Sequence, residues 1–206
     1  MQSIILATRN AGKVSEIISI LSDLPVKIFS LSDLPEISEI AEDGSTFEEN
    51  ALLKARHVFH SVKIPALADD SGLEVISLGN RPGVYSARYA GENVSYEANN
   101  KKLLAELKGY PEEKRKARFR CTAAFVGPDV EHITQGVCSG VIINSPRGSN
   151  GFGYDPLFVP EGHRQTFAEL TSDVKNSISH RSSAFRLMAA YLRVYLERMP
   201  RSSDSQ

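Results

Sequence analysis

The sequence has no tryptophan, and only two cysteines and three methionines among its 206 residues. Cys121 and Cys138 form no CxxC pair. A disulfide framework and a cysteine-type zinc site are therefore excluded, and both thiols are expected to be reduced core groups. No apolar run approaches the ~18 residues of a transmembrane helix. Gly 14 and Pro 10 are too few for a low-complexity chain, and no internal repeat is present. Neither sign of charge dominates: Lys+Arg is 24 and Asp+Glu is 25, for a formal charge of −1. Nucleic-acid binding through bulk positive charge is excluded, and no nucleic acid or membrane partner is expected. The GxxxxGK[ST] phosphate loop is also missing. The start, MQSIILATRNAGK, has no basic segment ahead of its apolar run, so it reads as a buried strand rather than a signal peptide. A reducing, cytoplasmic compartment is the expectation.

What remains is an ordinary globular composition, 41% hydrophobic and 24% charged. A chain this long can bury roughly 70% of its unfolded surface without staples. Ile4-Ile5-Leu6-Ala7 has the continuous apolarity of a strand covered on both faces. The polar loop Thr8-Arg9-Asn10-Ala11-Gly12-Lys13 follows it, then a helix with Val14, Ile17, Ile18 and Leu21 on one face. Val26 to Phe29 is the next short strand, and residues 31–43 read as an acidic loop. Ser45-Thr46-Phe47-Glu48 is a capping-box pattern that opens a helix running to about His60. Its apolar stripe is Phe47, Ala51, Ala55, Val58 and Phe59. Pro65 to Ala68 is a strand ending in Asp69-Asp70-Ser71-Gly72, with a turn expected at Ser71-Gly72. Ser95 caps a helix that stops at Gly109. Residues 117–126 and 133–143 form a long hairpin that could begin a separate lobe. One last helix runs from about Ser177 to Met199, before a polar tail. The order predicts a mixed α/β fold with a twisted central sheet, as one domain over residues 1–198.

Five segments can carry chemistry. Thr8 to Lys13, between a strand and a helix, is either an anion site or an ordinary βα turn. Lys13 needs no core partner there. Asp69 and Asp70 close an apolar strand, where open α/β sheets place ligands, and hard oxygens suit Mg²⁺. The alternative is a polar turn. Adjacent strand residues face opposite ways, so a turn would be needed to bring both to one rim. Glu42-Asp43-Gly44 is a second acidic group, beside Glu48, Glu49 and Asn50, although acids also suit a helix start. Phe152, flanked by Gly151 and Gly153, can present its ring to a planar base or tuck into the core. Lys175 and Ser179-His180-Arg181 put cations at a helix start against the dipole, unless they form a solvated charge run. His57 and His60 lack a third metal ligand and read as inert.

Together these segments resemble the XTP/dITP diphosphatase family, the inosine triphosphate pyrophosphatases. The resemblance runs from Ile4 to about Leu196. It rests on ATRNAGK (7–13) with Glu16, EDGSTFEENA (42–51), ADDSGL (68–73), PGVYSARY (82–89), GFGYDPLF (151–158), AEL (168–170), Lys175 and SHR (179–181). Each is weak alone, and their joint order is specific. The resemblance implies a long mixed sheet, two lobes with a cleft between them, and a homodimer. It implies hydrolysis of ITP, dITP or XTP to the monophosphate and pyrophosphate with Mg²⁺. Carried over by position, Thr8, Arg9, Asn10, Ala11, Gly12 and Lys13 hold the triphosphate. Glu42, Asp69 and Asp70 serve the metal, with the acidic slot before Gly44 open between Glu42 and Asp43. Asp70 is the proton acceptor and Ser71 touches substrate. Phe152, Gly153, Tyr154, Asp155, Lys175, His180 and Arg181 surround the nucleotide. Two rivals stay open: a septum-formation-inhibitor-like enzyme acting on pyrimidine or modified nucleotides, and a nucleotide sensor without turnover.

Overall fold

A computed structural model of the chain describes residues 2–38, 40 and 42–198. The strands are β1 (Gln2–Leu6), β2 (Val26–Ser30), β3 (Ala66–Val75), β4 (Arg81–Pro82), β5 (Lys116–Gly127), β6 (Val130–Ile142) and β7 (Phe158–Pro160). The helices are α1 (Ala11–Ile20), α2 (Phe47–Val62), α3 (Tyr96–Glu106), α4 (Ser172–Ile178) and α5 (His180–Arg198). They build the mixed α/β fold that the pattern predicts. One sheet runs β2-β1-β3-β5-β6-β7, with β4 added to β3. β1 is parallel to β2 and β3, and the other pairings are antiparallel.

Three apolar clusters flank this sheet. Ile4, Leu6 and Leu67 pack with Ile17 of α1 and Phe185, Met188 and Leu192 of α5. Ile5, Ala66 and Ala68 face the other way, onto Ala51, Ala55 and Val58 of α2. The third cluster joins Leu73 and Val75 to Leu103, Phe119, Phe158 and Phe167. The odd and even residues of β3 thus serve opposite faces, as its two-residue period requires. The β5–β6 hairpin is continuous with the sheet. β5 pairs with β3 through ten positions, from Ala66↔Val126 to Val75↔Ala117, so the hairpin is part of the central sheet. Cys121 and Cys138 are free and buried.

Three boundaries differ from the sequence reading. β3 does not turn at Ser71-Gly72, because its pairing with β5 holds it extended through Val75. Gly72 is required there for space: a Cβ would lie 2.4 Å from the Gly83 carbonyl oxygen. The cap of α2 is Thr46 rather than Ser45: Thr46 accepts from the Glu49 N–H at 3.1 Å. Glu49 in turn accepts from the Ser45 N–H and hydroxyl, both at 2.7 Å. The sequence holds two overlapping boxes, and the later one leaves Glu48 to pair with Arg120. The last helix is two helices. Ser179 is extended between α4 and α5, and its hydroxyl accepts from the Ser182 N–H at 3.1 Å. Met199 and the tail expected at 199–206 lie outside the described residues.

Candidate active site

β3 is ten residues long, but β1 pairs only with Ala66 and Leu67, and β4 only with Glu74 and Val75. Among the described residues no strand neighbours the β3 edge between them. This gap lies where β1 hands over to α1 on one face while α2 crosses the other, the position at which doubly wound sheets bind ligands. A cleft of about 540 Å³ opens there. The segment Gly83–Arg88 closes its far end: the Ser86 hydroxyl accepts from the Leu73 N–H at 2.9 Å and donates to the Gly83 carbonyl at 2.6 Å.

Most of the residues singled out in the sequence line this cleft, among them Thr8, Arg9, Asn10, Lys13, Glu42, Asp70, Ser71 and Lys175. So do Phe152, Gly153, Tyr154, Asp155, His180 and Arg181. Ala11 is exposed, and Gly12 touches Phe152 instead: a Cβ on Gly12 would lie 2.7 Å from the ring. Asn10 caps α1, accepting from the Lys13 N–H at 3.1 Å. Arg9 lines the cleft with its guanidinium engaged by the neighbouring segment. It donates to the carbonyls of Leu31 and Ile37. Asp43 is exposed, whereas the Glu42 carboxylate reaches Lys54.

Two buried charge groups meet at β3. On the α1/α5 face, ion pairs run Asp155–Lys175–Glu16–Arg181–Asp69–Lys13, acid and base alternating. Lys175 Nζ lies 2.7 Å from Asp155 and 2.8 Å from Glu16. Arg181 is 2% exposed, donating to Glu16, to Asp69 at 3.2 and 3.3 Å, and to Ser71 at 3.4 Å. It belongs to no solvated charge run. Lys13 Nζ sits 3.2 Å from the buried Asp69, so it has the core partner that the sequence did not suggest. On the α2 face, Asp70 accepts from Asn50 at 3.0 Å and lies 3.7 Å from Lys54, which also holds Glu42.

These surroundings separate the two neighbouring aspartates. Burial alone would raise Asp69, but Lys13, Arg181 and Lys54 outweigh it and hold the carboxyl far below its ordinary range. Asp70 is raised, first by burial and then by Glu42, against the pull of Lys54. Burial works against Lys54 as a cation, yet Asp70 and Glu42 raise it above its ordinary value. The result is a permanent anion beside a carboxylate able to take a proton, the pattern of an acid–base site. His180 is buried, stacked on Phe119 at 4.7 Å with 11° between the rings. Burial first, then Arg181 and Lys175, keep its imidazole neutral. Phe152 has Lys175 Nζ at 4.9 Å and the Arg181 guanidinium at 5.5 Å from its ring centre.

Asp70 and Glu42, both against the Lys54 ammonium and both lining the cleft, are the residues that could hold a divalent cation. Asp70 and Glu42 offer hard oxygens, and Mg²⁺ takes one or two carboxylates with the rest from phosphate and water. Among the described residues no group of three or more His, Cys, Asp or Glu makes an all-protein cage. Asp69 lies on the opposite face, engaged by Lys13 and Arg181, apart from this pair.

Sequence reasoning missed Lys54, His57 and Tyr96 as cleft residues, while Asn50 and Arg88 appeared only within motifs. Lys54 left a signal: it falls on the same helical face as Ala51, Ala55 and Val58, where an unpaired lysine has no place. Glu16 appeared only as part of a motif. His57 is not inert surface, since its Nε2 lies 3.1 Å from the Ser38 carbonyl at the cleft wall.

The sequence and the fold both have known relatives. The chain is 52% identical to the dITP/XTP pyrophosphatase of Geobacter sulfurreducens, over 93% of this chain and 97% of that one. It is 49% identical to the dITP/XTP pyrophosphatase of Bacillus subtilis, over 93% and 98%. The solved structure of a HAM1 protein from Coxiella burnetii superposes with a TM-score of 0.86 at 41% identity, covering 94% of this chain and all of that one. Nucleoside-triphosphatase / dITP/XTP pyrophosphatase from Mycobacterium abscessus gives 0.75 at 43% identity, over 93% and 99%. The Ham1 family model matches residues 4–191, nearly every described element, and the chain therefore belongs to the Ham1 family.

Proposed function

We propose that this protein is a nucleoside triphosphate pyrophosphatase. It cleaves ITP, dITP or XTP to the nucleoside monophosphate and pyrophosphate, and so removes deaminated purines from the nucleotide pool. The observation that carries this reading is the divided aspartate pair. A raised, cleft-facing Asp70 stands beside cations able to hold phosphate.

In the proposed reaction the triphosphate lies across the N-terminus of α1, with Lys13 and Lys54 facing its oxygens. Water attacks the α-phosphorus, the new P–O bond forms, and the bond to the α–β bridging oxygen breaks. Asp70 accepts the proton from water, and pyrophosphate leaves with the bridging oxygen. Asp70 and Glu42 would hold Mg²⁺, which when bound offsets charge on the phosphate oxygens. Asp69 stays ionised and orients Lys13 and Arg181. At the other end of the cleft, Phe152 stacks on the purine while His180 and Arg181 present donors to an oxygen at C6. Adenine carries an amino group there and would face a donor with a donor. The protein is proposed to act as a cytoplasmic homodimer; among the described residues no helix is long and apolar enough to cross a membrane.

The deciding experiment offers ITP, ATP and UTP with Mg²⁺ and identifies the products. IMP and pyrophosphate from ITP, at a kcat/KM well above that for ATP, support the reading. Preference for UTP or a modified pyrimidine would favour the septum-formation-inhibitor type. Binding of ITP without turnover would make the protein a sensor.

A further inference from the structure

The segment that brings Glu42 to the cleft is held in an unusual way. It links a 3₁₀ turn, Leu31–Asp33, to α2. Among the described residues no backbone–backbone hydrogen bond reaches Ser38, Ile40, Glu42 or Asp43. Among the described residues its anchors are side chains of neighbouring elements. Arg9 donates to Leu31 and Ile37, His57 meets the Ser38 carbonyl, and Asn50 accepts from the Gly44 N–H at 2.8 Å. At Glu42 itself the anchor is Arg88, whose Nη2 donates to the Glu42 carbonyl at 2.8 Å.

We infer that Arg88 is a positioning residue for Glu42: by fixing the backbone at that one residue it aims the carboxylate at Lys54 and Asp70. Three observations carry this. Arg88 is the last residue of Gly83–Arg88, the segment that Ser86 bonds to β3, so its origin is fixed relative to Asp70. Its guanidinium is further steadied over the Tyr85 ring at 5.2 Å and beside Glu92 at 3.7 Å. The Glu42 side chain then needs no structure of its own beyond the contact with Lys54. A carboxylate on a segment whose described residues make no ladder bonds around it would otherwise sample many directions, and each one lost to disorder weakens a shared ligand pair.

The inference rests on the proposed role of Glu42 as a metal ligand, and the test separates the two. ITP hydrolysis is measured across Mg²⁺ concentrations for Arg88→Ala, Glu42→Gln and the double variant. Arg88→Ala should raise the Mg²⁺ concentration for half-maximal rate about tenfold, as expected for losing one charge-assisted hydrogen bond. The double variant should be no worse than Glu42→Gln alone, because Arg88 acts through Glu42. Hydrogen exchange in a peptide covering residues 42–46 should speed up in Arg88→Ala while peptides from β5 stay as they were. Losses that multiply in the double variant would mean that Arg88 touches substrate itself and would overturn the inference, as would unchanged exchange at 42–46. Full activity of Glu42→Gln would instead remove Glu42 from the metal site, leaving exchange to decide whether Arg88 holds the segment. Should Arg88→Ala fail to fold, Arg88→Met, which keeps most of the stem and removes every donor, carries the same cycle.

Discussion

Asp69 and Asp70 are consecutive in the chain, yet their carboxylates lie on opposite faces of β3. Asp69 faces α1 and α5, where Lys13 lies at 3.2 Å and Arg181 at 3.2 Å. Asp70 faces α2, with Asn50 at 3.0 Å and Lys54 at 3.7 Å. A strand that alternates sides thus gives one dipeptide two electrostatic settings, one carboxyl held far below its ordinary range and one raised above it.

This division predicts unequal outcomes for the two amides. Asp70→Asn keeps the Asn50 contact within reach and removes the base, so kcat should fall by at least ~10² with little change in melting temperature. Asp69→Asn leaves Arg181 short of a buried counter-charge and should lower stability first. Product-release assays and thermal melts on both variants check this. Near-normal turnover of Asp70→Asn at saturating Mg²⁺ would remove it from catalysis.

Lys54 is the residue that both Asp70 and Glu42 depend on. Lys54→Met keeps most of the buried stem and deletes the charge. A loss of about 10²–10³ in kcat is expected, as for removing one preorganised donor. Steady-state kinetics with ITP would show it, and an unchanged kcat would reduce Lys54 to a structural counter-ion.

Arg181 joins Glu16, Asp69 and Ser71 while lining the cleft, so its proposed part in base choice has to be tested apart from folding. Arg181→Ala strands two buried carboxylates and should cost about 3–5 kcal/mol. Arg181→Lys keeps a charge but not the forked geometry, so it should narrow the gap in kcat/KM between ITP and ATP while staying folded. If the ratio holds in Arg181→Lys, the reader of the 6-oxo group is elsewhere, first among the groups around His180.

Gly12 and Phe152 make a sharper test of the stacking face. Gly12→Ala should favour α1 by up to about 1 kcal/mol. Its Cβ nevertheless falls 2.7 Å from the Phe152 ring, which must move. KM should rise for ITP and ATP alike, by about fivefold or more, since stacking is worth about 1–3 kcal/mol and does not distinguish bases. A variant with unchanged KM for both would show that Phe152 does not carry the purine.

Acid should unfold the protein through the buried ion pairs. Burial pushes Glu16 upward, but Arg181 and Lys175 outweigh it and hold it below its ordinary value of 4.5. A depressed carboxyl contributes stability that is fully present above its unfolded value and is lost as pH falls through its folded one. Denaturant unfolding should therefore be nearly flat in pH above about 5 with respect to this group, then weaken below about 4.5. Glu16→Gln should flatten the curve in that acid window. An equally steep fall in the variant would assign the acid sensitivity to other carboxylates.

The sequence by itself determined the α/β class, the reading of β1, the loop and α1, and nearly all of the lining of the cleft. These rest on local facts: apolar runs, helical stripes, capping residues, and motifs whose order is specific even where each is weak. The tertiary structure decided the rest. Whether Ser71-Gly72 turns or extends depends on β5, a strand more than forty residues away in the chain, through pairing that no local pattern encodes. The contact between Glu42 and Lys54 depends on α2 packing beside the segment that carries Glu42. The cations at Lys13, Lys175 and Arg181 looked free in the sequence because their partners, Asp69, Glu16 and Asp155, are brought to them only by packing α1, α4 and α5 onto one face of the sheet. Charge pairing falls off with distance in space and not along the chain, and only the fold sets those distances.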